Sequence, residues 1–330
     1  MLFVACAGNE PDEGDDSGLG EDASVPGETT GHHLLVSGQM VLANEDALGA
    51  YEMDDDGTVT WSAPLATGTG GFGAVRTEGK ETLIAWTKMG ENLSSGLLRL
   101  DGEGNTLRRY DGGDTAAPSF PHGVGALAGG NIVVGDGWNG DIICIDQDGN
   151  LVWRMSTPEF GYGQVPSGLR VFLVEERPLL VATLLGEGGL ESGERFDQTL
   201  AWWIDGAEPQ FAWAFPPEPD SSLSLWVHGP QQTADGTLLI SSAGLGQVIH
   251  LDINGVEIER VPPTADPYRF AFPRDAVQLP GGDLLVLDAT ELLAVHDPFG
   301  DYSVEPVGEL LFGYSLDLLD CSAGACIGGR

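Results

Sequence analysis

Short, nearly continuous apolar runs recur along the chain: "QMVLAN", "TLIAW", "NIVVGD", "TLLISS" and "DLLVLD". Runs of this length, rich in β-branched residues and bounded by Gly, Asp and Asn, read as buried β-strands. About ten residues after each comes a turn of the form Asp-x-x-Gly. "MDDDGTVTW" carries Asp54, Gly57 and Trp61, and "IDQDGNLVW" carries Asp146, Gly149 and Trp153. "LDGEGNTLR", "LDINGVEIE" and "HDPFGDYSV" supply Asp101 with Gly104, Asp252 with Gly255, and Asp297 with Gly300. "IDGAEPQFAW" is a looser copy with Asp205 and Trp213. Such turns mark hairpins, because Gly supplies the positive φ that a tight connection needs. No segment shows a convincing amphipathic helix.

The six aspartates stand at 54, 101, 146, 205, 252 and 297, so successive turns are 47, 45, 59, 47 and 45 residues apart. Four strands repeated at about this period are the signature of β-propeller blades. The expected fold is all-β, a six-bladed β-propeller of four-stranded antiparallel blades over residues 32–330. "FGYSLDLLD" is a candidate inner strand completing the first blade, and a seventh, partial blade stays open. Trp61, Trp153 and Trp213 are expected to pack between neighbouring blades. "LLGEGGLESGERFDQT" reads as a loop protruding from the fourth.

Composition adds a constraint on partners. Lys and Arg number 14 against 51 Asp and Glu, a formal charge of −37. That charge repels phosphate backbones and anionic membrane surfaces, so no nucleic-acid partner is expected. No apolar run approaches the ~20 residues of a membrane-spanning helix. "MLFVAC", residues 1–6, looks like the end of a signal peptide with a bacterial lipobox at Cys6, the chain starting inside the signal. Residues 7–31 hold eight acidic and no basic residues, with frequent Gly and Pro, and should form a disordered tether. An acylated Cys6 would thus anchor a monomer at the cell envelope, outer membrane or cell surface. The alternative is an incidental cysteine at a frayed end.

The other cysteines fit an exported chain. Cys321 and Cys326 in "CSAGAC" are spaced to close a small disulfide loop. Cys144, alternating with Ile143 and Ile145, reads as a buried, unreactive thiol. No second ligand pair has the spacing of a metal site. "DQDGN" and "DGEGN" place Gly too early for an EF-hand and read as hairpin turns. "DDDGTVTW" resembles a sialidase Asp-box with its Trp one residue too far away.

Aligning the units on the apolar run puts His122, His228 and Arg274 each eight residues before a glycine: Gly130, Gly236 and Gly282. The residues before them also correspond: Phe120-Pro121, Trp226-Val227 and Phe272-Pro273. The innermost strand of a blade faces the central channel, so one register converges near the axis. Ser167 holds this place in the fourth unit, and a small residue near Gly73 in the second. His250, His296 and His32-His33 share no register with this set.

At this point "PHGVGALAGGNIVVGDGWNGDIICIDQDGNLVW" resembles the repeat of arylsulfotransferase-type propellers. That repeat reads His, a few residues, Leu-x-x-Gly-Asn, an apolar run, Asp-x-Asp-Gly and Trp. "FPRDAVQLPGGDLLVLD" is similar, with Arg for His. The pattern covers most of the chain and is close in the third, fifth and sixth units. The resemblance implies sulfuryl transfer from an aryl sulfate to a phenol, with His122 or His228 as nucleophile and Arg274 as anion clamp. Only two histidines share the register, and Ser167 lies between them. A quinone cofactor has no support beyond the shared turn-and-Trp pattern, so no cofactor is expected. Three readings remain: histidines that merely cap strands, a surface module binding a small molecule or protein at the channel mouth or blade loops, and a sulfuryl-transfer enzyme.

Overall fold

The computed structural model describes residues 32–328, apart from 43–44, 55–57, 66–68, 78, 89–93, 112–115, 158–162, 188–196, 207, 219–224, 289–290, 310–311 and 321–326. Cys6, the acidic segment 7–31, Cys321, Cys326 and most of the long fourth-unit connection lie outside them.

The protein is a six-bladed β-propeller. Blade I contains β1 (His32–Leu42), β2 (Glu45–Met53) and β3 (Val59–Pro64), and blade II contains β4 (Thr69–Arg76), β5 (Thr82–Lys88), β6 (Ser94–Leu100) and β7 (Thr106–Asp111). Blade III is β8 (Pro121–Ala126), β9 (Ile132–Asp136), β10 (Asp141–Ile145) and β11 (Leu151–Ser156). Blade IV is β12 (Gly163–Val174), β13 (Arg177–Glu187), β14 (Gln198–Trp203) and β15 (Gln210–Phe215). Blade V is β16 (Val227–Gln232), β17 (Leu238–Ser242), β18 (Gln247–Leu251) and β19 (Glu257–Val261). Blade VI is β20 (Pro273–Gln278), β21 (Leu284–Asp288), β22 (Glu291–His296) and β23 (Ser303–Glu309). The ring closes as "FGYSLDLLD" suggested: β24 (Phe312–Asp320) pairs antiparallel with β1 as the inner strand of blade I, and β25 (Ile327–Gly328) adds to it. No seventh sheet forms among the described residues.

Side chains on a strand alternate between its two faces, and here each face meets a different blade. Val133, Ile142 and Cys144 of blade III pack with Leu169, Leu180 and Trp202 of blade IV. Ile132, Val134, Ile143 and Ile145 turn the other way, to Leu83, Leu97 and Tyr110 of blade II. Six such clusters fill the six interfaces. The middle strands are therefore buried on both faces and read as unbroken apolar runs, whereas β11 and β19 at the rim are largely exposed. Burying each large aliphatic side chain contributes about 1.5–3 kcal/mol, spread evenly around the ring.

All six Asp turns join the third and outermost strands of their blades. In five of them the carboxylate accepts from its own turn: Asp101 Oδ1 from the N–H of Glu103 and Asn105, Asp146 Oδ1 from Asp148 and Asn150, Asp252 Oδ1 from Asn254 and Val256, Asp54 Oδ1 from Thr58 and Asp297 Oδ2 from Asp301. The side-chain amides of Asn105 and Asn150, donating to Asp101 Oδ2 and Asp146 Oδ2 at 2.9 Å, and with them the backbone bonds, hold both carboxyls below the usual carboxylate range. The expected positive φ is found at Gly104 (87°), Gly149 (82°) and Gly255 (79°); in blade VI it falls on Asp297 instead (45°).

The tryptophans lie at the interfaces. Trp153 belongs to the III/IV cluster. Trp213 lies against the IV/V cluster and donates Nε1–H to Ile253 O of the next blade's turn at 2.9 Å. Trp61 lies against the I/II cluster under the Arg76 guanidinium, 4.8 Å from the ring centre. Tyr110 plays the same part between blades II and III, its hydroxyl donating to Gln147 O at 3.1 Å. Cys144 is buried, which pushes its thiol up to about 12. His250 and His296 serve locally: His250 Nε2 bonds Thr237 Oγ1 at 2.6 Å, and His296 lies between Asp283 and Glu305 at 2.7 and 3.1 Å.

Candidate functional site

Six inner strands, β4, β8, β12, β16, β20 and β24, touch their neighbours in a closed ring. Each carries a bulge near its start. Such a bulge re-aims one side chain where the ladder breaks. His122, His228 and Arg274 occupy one register there: Pro121, Val227 and Pro273 before them pair with Asp136, Ser242 and Asp288. Ser167 is the counterpart in blade IV, and its Oγ donates to Val227 O of blade V at 2.6 Å. In blade II the bulged residue is Phe72 rather than Gly73, and in blade I it is Tyr314. The spacing is unchanged, ten residues from Phe72 to Thr82 as from His122 to Ile132; what differs is the turn residue eight on, where Lys80 takes the positive φ (63°) that glycine holds in blades III, V and VI.

The three candidates share a neighbourhood centred on Arg274. Its guanidinium lies 4.6 Å above the ring centre of Phe272, and the same ring lies 5.8 Å from that of His228. Burial, and then the positive charge of Arg274, pull the His122 imidazole down to about 3. His122 is therefore neutral at physiological pH. Its other aromatic neighbour is Phe120, at 4.7 Å between ring centres.

Directly below, the axis narrows. One residue after Phe72, His122, Ser167, His228, Arg274 and Tyr314 stand Gly73, Gly123, Gly168, Gly229, Asp275 and Ser315. A Cβ on Gly123 would lie 2.4 Å from Leu169 N, so backbone meets backbone across this ring. The cavity left beside His122 is about 20 Å³, room for roughly one water. Any larger ligand of the His122 neighbourhood must sit above it.

Beneath that cavity the axis is filled by a polar plug. Arg170 Nη1 donates to Ala74 O at 3.1 Å and Val124 O at 3.4 Å, and Nη2 to Leu316 O at 2.8 Å. Gln231 Nε2 donates to Leu316 O at 2.6 Å and to both Asp275 oxygens at 3.1 and 3.2 Å. Asp275 also accepts from Leu316 N–H at 2.9 Å. Burial raises the carboxyls of Asp275 and Asp317 to about 6, with the Arg170 charge opposing the rise in both.

A cavity opens on the same face as His122, between blades II and III. Its volume is about 700 Å³. Trp86, Phe120 and Trp138 supply its aromatic walls, with Arg109, Asp111, Thr87 and three serines between them. Trp138 is 61% exposed, unusual for so large an apolar side chain, and its ring lies 5.6 Å from that of Phe120. Phe120 thus borders both this crevice and His122. A second cavity of about 390 Å³ lies on the opposite face, where Arg99 forms a two-pronged pair with Glu81 at 2.7 and 2.9 Å. Among the described residues no three His, Cys, Asp or Glu side chains cluster to hold a metal ion.

No family model and no curated relative matches the chain. Solved structures do. The chain is similar to a protein of unknown function from Bacteroides caccae, with TM-score 0.54 and 15% identity over 87% of this chain and 98% of that one. It is similar to the periplasmic gluconolactonase PpgL of Pseudomonas aeruginosa, with TM-score 0.52 and 14% identity over 87% and 98%. A third likeness is to virginiamycin B lyase from Staphylococcus aureus, with TM-score 0.50 and 15% identity over 83% and 87%. What they share with this chain is the propeller fold. At such identities neither the activities named for them nor an arylsulfotransferase one carries over.

Several residues of this region escaped the sequence. Arg170, Gln231 and Asp317 stand in a register where the other inner strands carry Val75, Gly125 and Val277, so no repeated residue type marks it. Trp138 left a detectable signal: "DGWNG" places a tryptophan in a turn, where burial does not account for it.

Proposed function

We propose that the protein is an exported, lipid-anchored β-propeller that acts as a binding module, taking a small molecule on the face that carries His122 and Trp138. The observation that carries this reading is the 700 Å³ crevice with its exposed Trp138. Its size and its mixture of aromatic walls with a few polar groups are those of small-molecule sites. The charge of −37 favours neutral or cationic ligands. Acylation of Cys6 would place that face outside the membrane on the acidic tether.

Thermal unfolding of wild type and Trp138→Ala against a chemically diverse set of small molecules tests the reading. A ligand that binds only the folded state stabilises it by RT ln(1 + [L]/Kd), about 2.7 kcal/mol at 100 times Kd. At least one compound should raise the wild-type midpoint and lose most of that effect in the variant. A set in which no compound does so sinks the proposal.

Sulfuryl transfer is the second reading, favoured by a neutral His122 beside the Arg274 charge. The imidazole nitrogen would take the sulfuryl group as the aryl oxygen leaves, and a phenol oxygen would then take it from His122. Neutral imidazole is a competent nucleophile, and Arg274 would offset developing negative charge on the oxygens. Incubation with a chromogenic aryl sulfate and a phenol decides: turnover abolished by His122→Ala supports the reading, and no turnover removes it.

A further inference from the structure

We infer that the crevice between blades II and III takes a neutral saccharide. The inference rests on the binding-module reading of the same face and names its ligand class.

The walls set the shape of the ligand. The rings of Phe120 and Trp138 meet at 56° with centres 5.6 Å apart, forming a corner rather than a slot. A flat aromatic guest gains most between parallel faces. A puckered ring bearing C–H bonds on several sides can lay one side on each wall, its weakly positive hydrogens against the negative ring faces.

The polar groups set its chemistry. Arg109 Nε and Asp111 Oδ2 lie 3.0 Å apart, both half-exposed at the crevice. They present a donor beside an acceptor without net charge. Adjacent hydroxyls on a sugar ring, one accepting and one donating, match that pair. Ser94 and Ser119 add hydroxyls on the same walls. Within the wall, Trp86 Nε1 and Thr87 Oγ1 are buried with no hydrogen-bond partner among the described residues. Unmatched donors in a cavity wall are what a ligand rich in oxygen can satisfy once it reaches them. An anionic guest finds no uncompensated cation here, and the chain's net charge opposes it.

The backbone holds the corner in place beforehand. Phe120 has φ of 68°, a left-handed conformation that is costly for a bulky side chain. It persists because its N–H donates to Ser95 Oγ at 3.0 Å and its carbonyl accepts from Gly137 N–H at 3.0 Å. Those bonds fix the Phe120 ring against Trp138 before any ligand arrives, which lowers the ordering cost of binding.

The test is titration of the folded protein with maltotriose, cellotriose and chitotriose, followed by tryptophan fluorescence and calorimetry. Trigalacturonate and 2-naphthol run alongside as an anionic sugar and a flat aromatic. At least one neutral trisaccharide should bind saturably, and Trp138→Ala and Asp111→Asn should each weaken it at least tenfold. Both side chains are exposed enough for the variants to fold, which their melting curves check. Trp226→Ala, at the start of blade V, should leave the affinity unchanged. Three results overturn the inference: no neutral trisaccharide binds, binding is indifferent to Trp138→Ala, or 2-naphthol or trigalacturonate binds in their place. The last of these leaves the binding-module reading standing, whereas that reading falls when no compound of the wider set depends on Trp138.

Discussion

Replacing Arg170 by Met removes the centre of the axial plug while keeping most of its volume. The buried carbonyls of Ala74 and Val124 lose the Arg170 donor, Leu316 O keeps the one from Gln231, and Asp275 and Asp317 lose the opposing charge of Arg170. Breaking a buried pair from one side typically costs 3–5 kcal/mol, a large share of the ~5–15 kcal/mol that holds a domain folded. The sign with pH follows from the two carboxyls. Their folded values, about 6, lie above the unfolded 3.8, so in wild type their ionisation is a penalty that is absent below pH 3.8, grows to about pH 6 and is constant beyond. Without Arg170 the folded values climb further, and the penalty keeps growing through neutral pH. At pH 5 both carboxyls are largely protonated, and the loss reduces to the carbonyl bonds, about 1–3 kcal/mol. Urea unfolding followed by tryptophan fluorescence at pH 5 and pH 8 reads the difference. The expected loss is larger at pH 8 by roughly 2 kcal/mol, and Asp275→Asn in the same chain should recover part of it. An equal loss at both pH values, or a larger one at pH 5, would refute the account of the plug.

Two further outcomes are expected. NMR titration should show His122 neutral at pH 5, and Arg274→Met should raise its value without restoring 6.5, because burial is the larger cause. Since the folded value lies below the unfolded one, His122 costs stability as pH falls from 6.5 towards 3, and an imidazole that titrates near 6.5 would contradict the burial drawn for it. Gly123→Ala places a Cβ 2.4 Å from Leu169 N, where neither neighbour is a flexible side chain. Chemical denaturation should show a loss of at least ~1–3 kcal/mol, and a neutral substitution would mean the inner strands are looser than described.

Six blades, their four strands and their turns were legible in the sequence because each depends on neighbours close along the chain. "NIVVGD" and "DIICI" are unbroken apolar runs because a middle strand of a blade meets another blade on each face, and Gly104, Gly149 and Gly255 stand where a positive φ is needed. The common register of His122, His228 and Arg274 was legible for a related reason. In a repeat protein a position in the unit becomes a position around the axis, so equal spacing along the chain becomes equal height in the ring. The one slip, Gly73 for Phe72, falls in the unit whose turn glycine is replaced by Lys80, so the mark that aligned His122, His228 and Arg274 is missing there.

The centre of the ring was decided by closure alone. Arg170 is a single residue in one unit, and its acceptors lie 96, 46 and 146 positions away along the chain. No periodicity ties these groups together; only the return of β24 to β1 brings them round one axis, where an unpaired charge would be costly. The crevice of Trp86, Arg109, Phe120 and Trp138 has the same origin. Its walls come from three strands of blade II and the connections β7–β8 and β9–β10, and each residue alone reads as an ordinary strand end or turn. Local backbone preference and burial on two faces are properties of a segment, so a segment can disclose them. A cavity belongs to the gap between segments, and its shape exists only once the ring has closed.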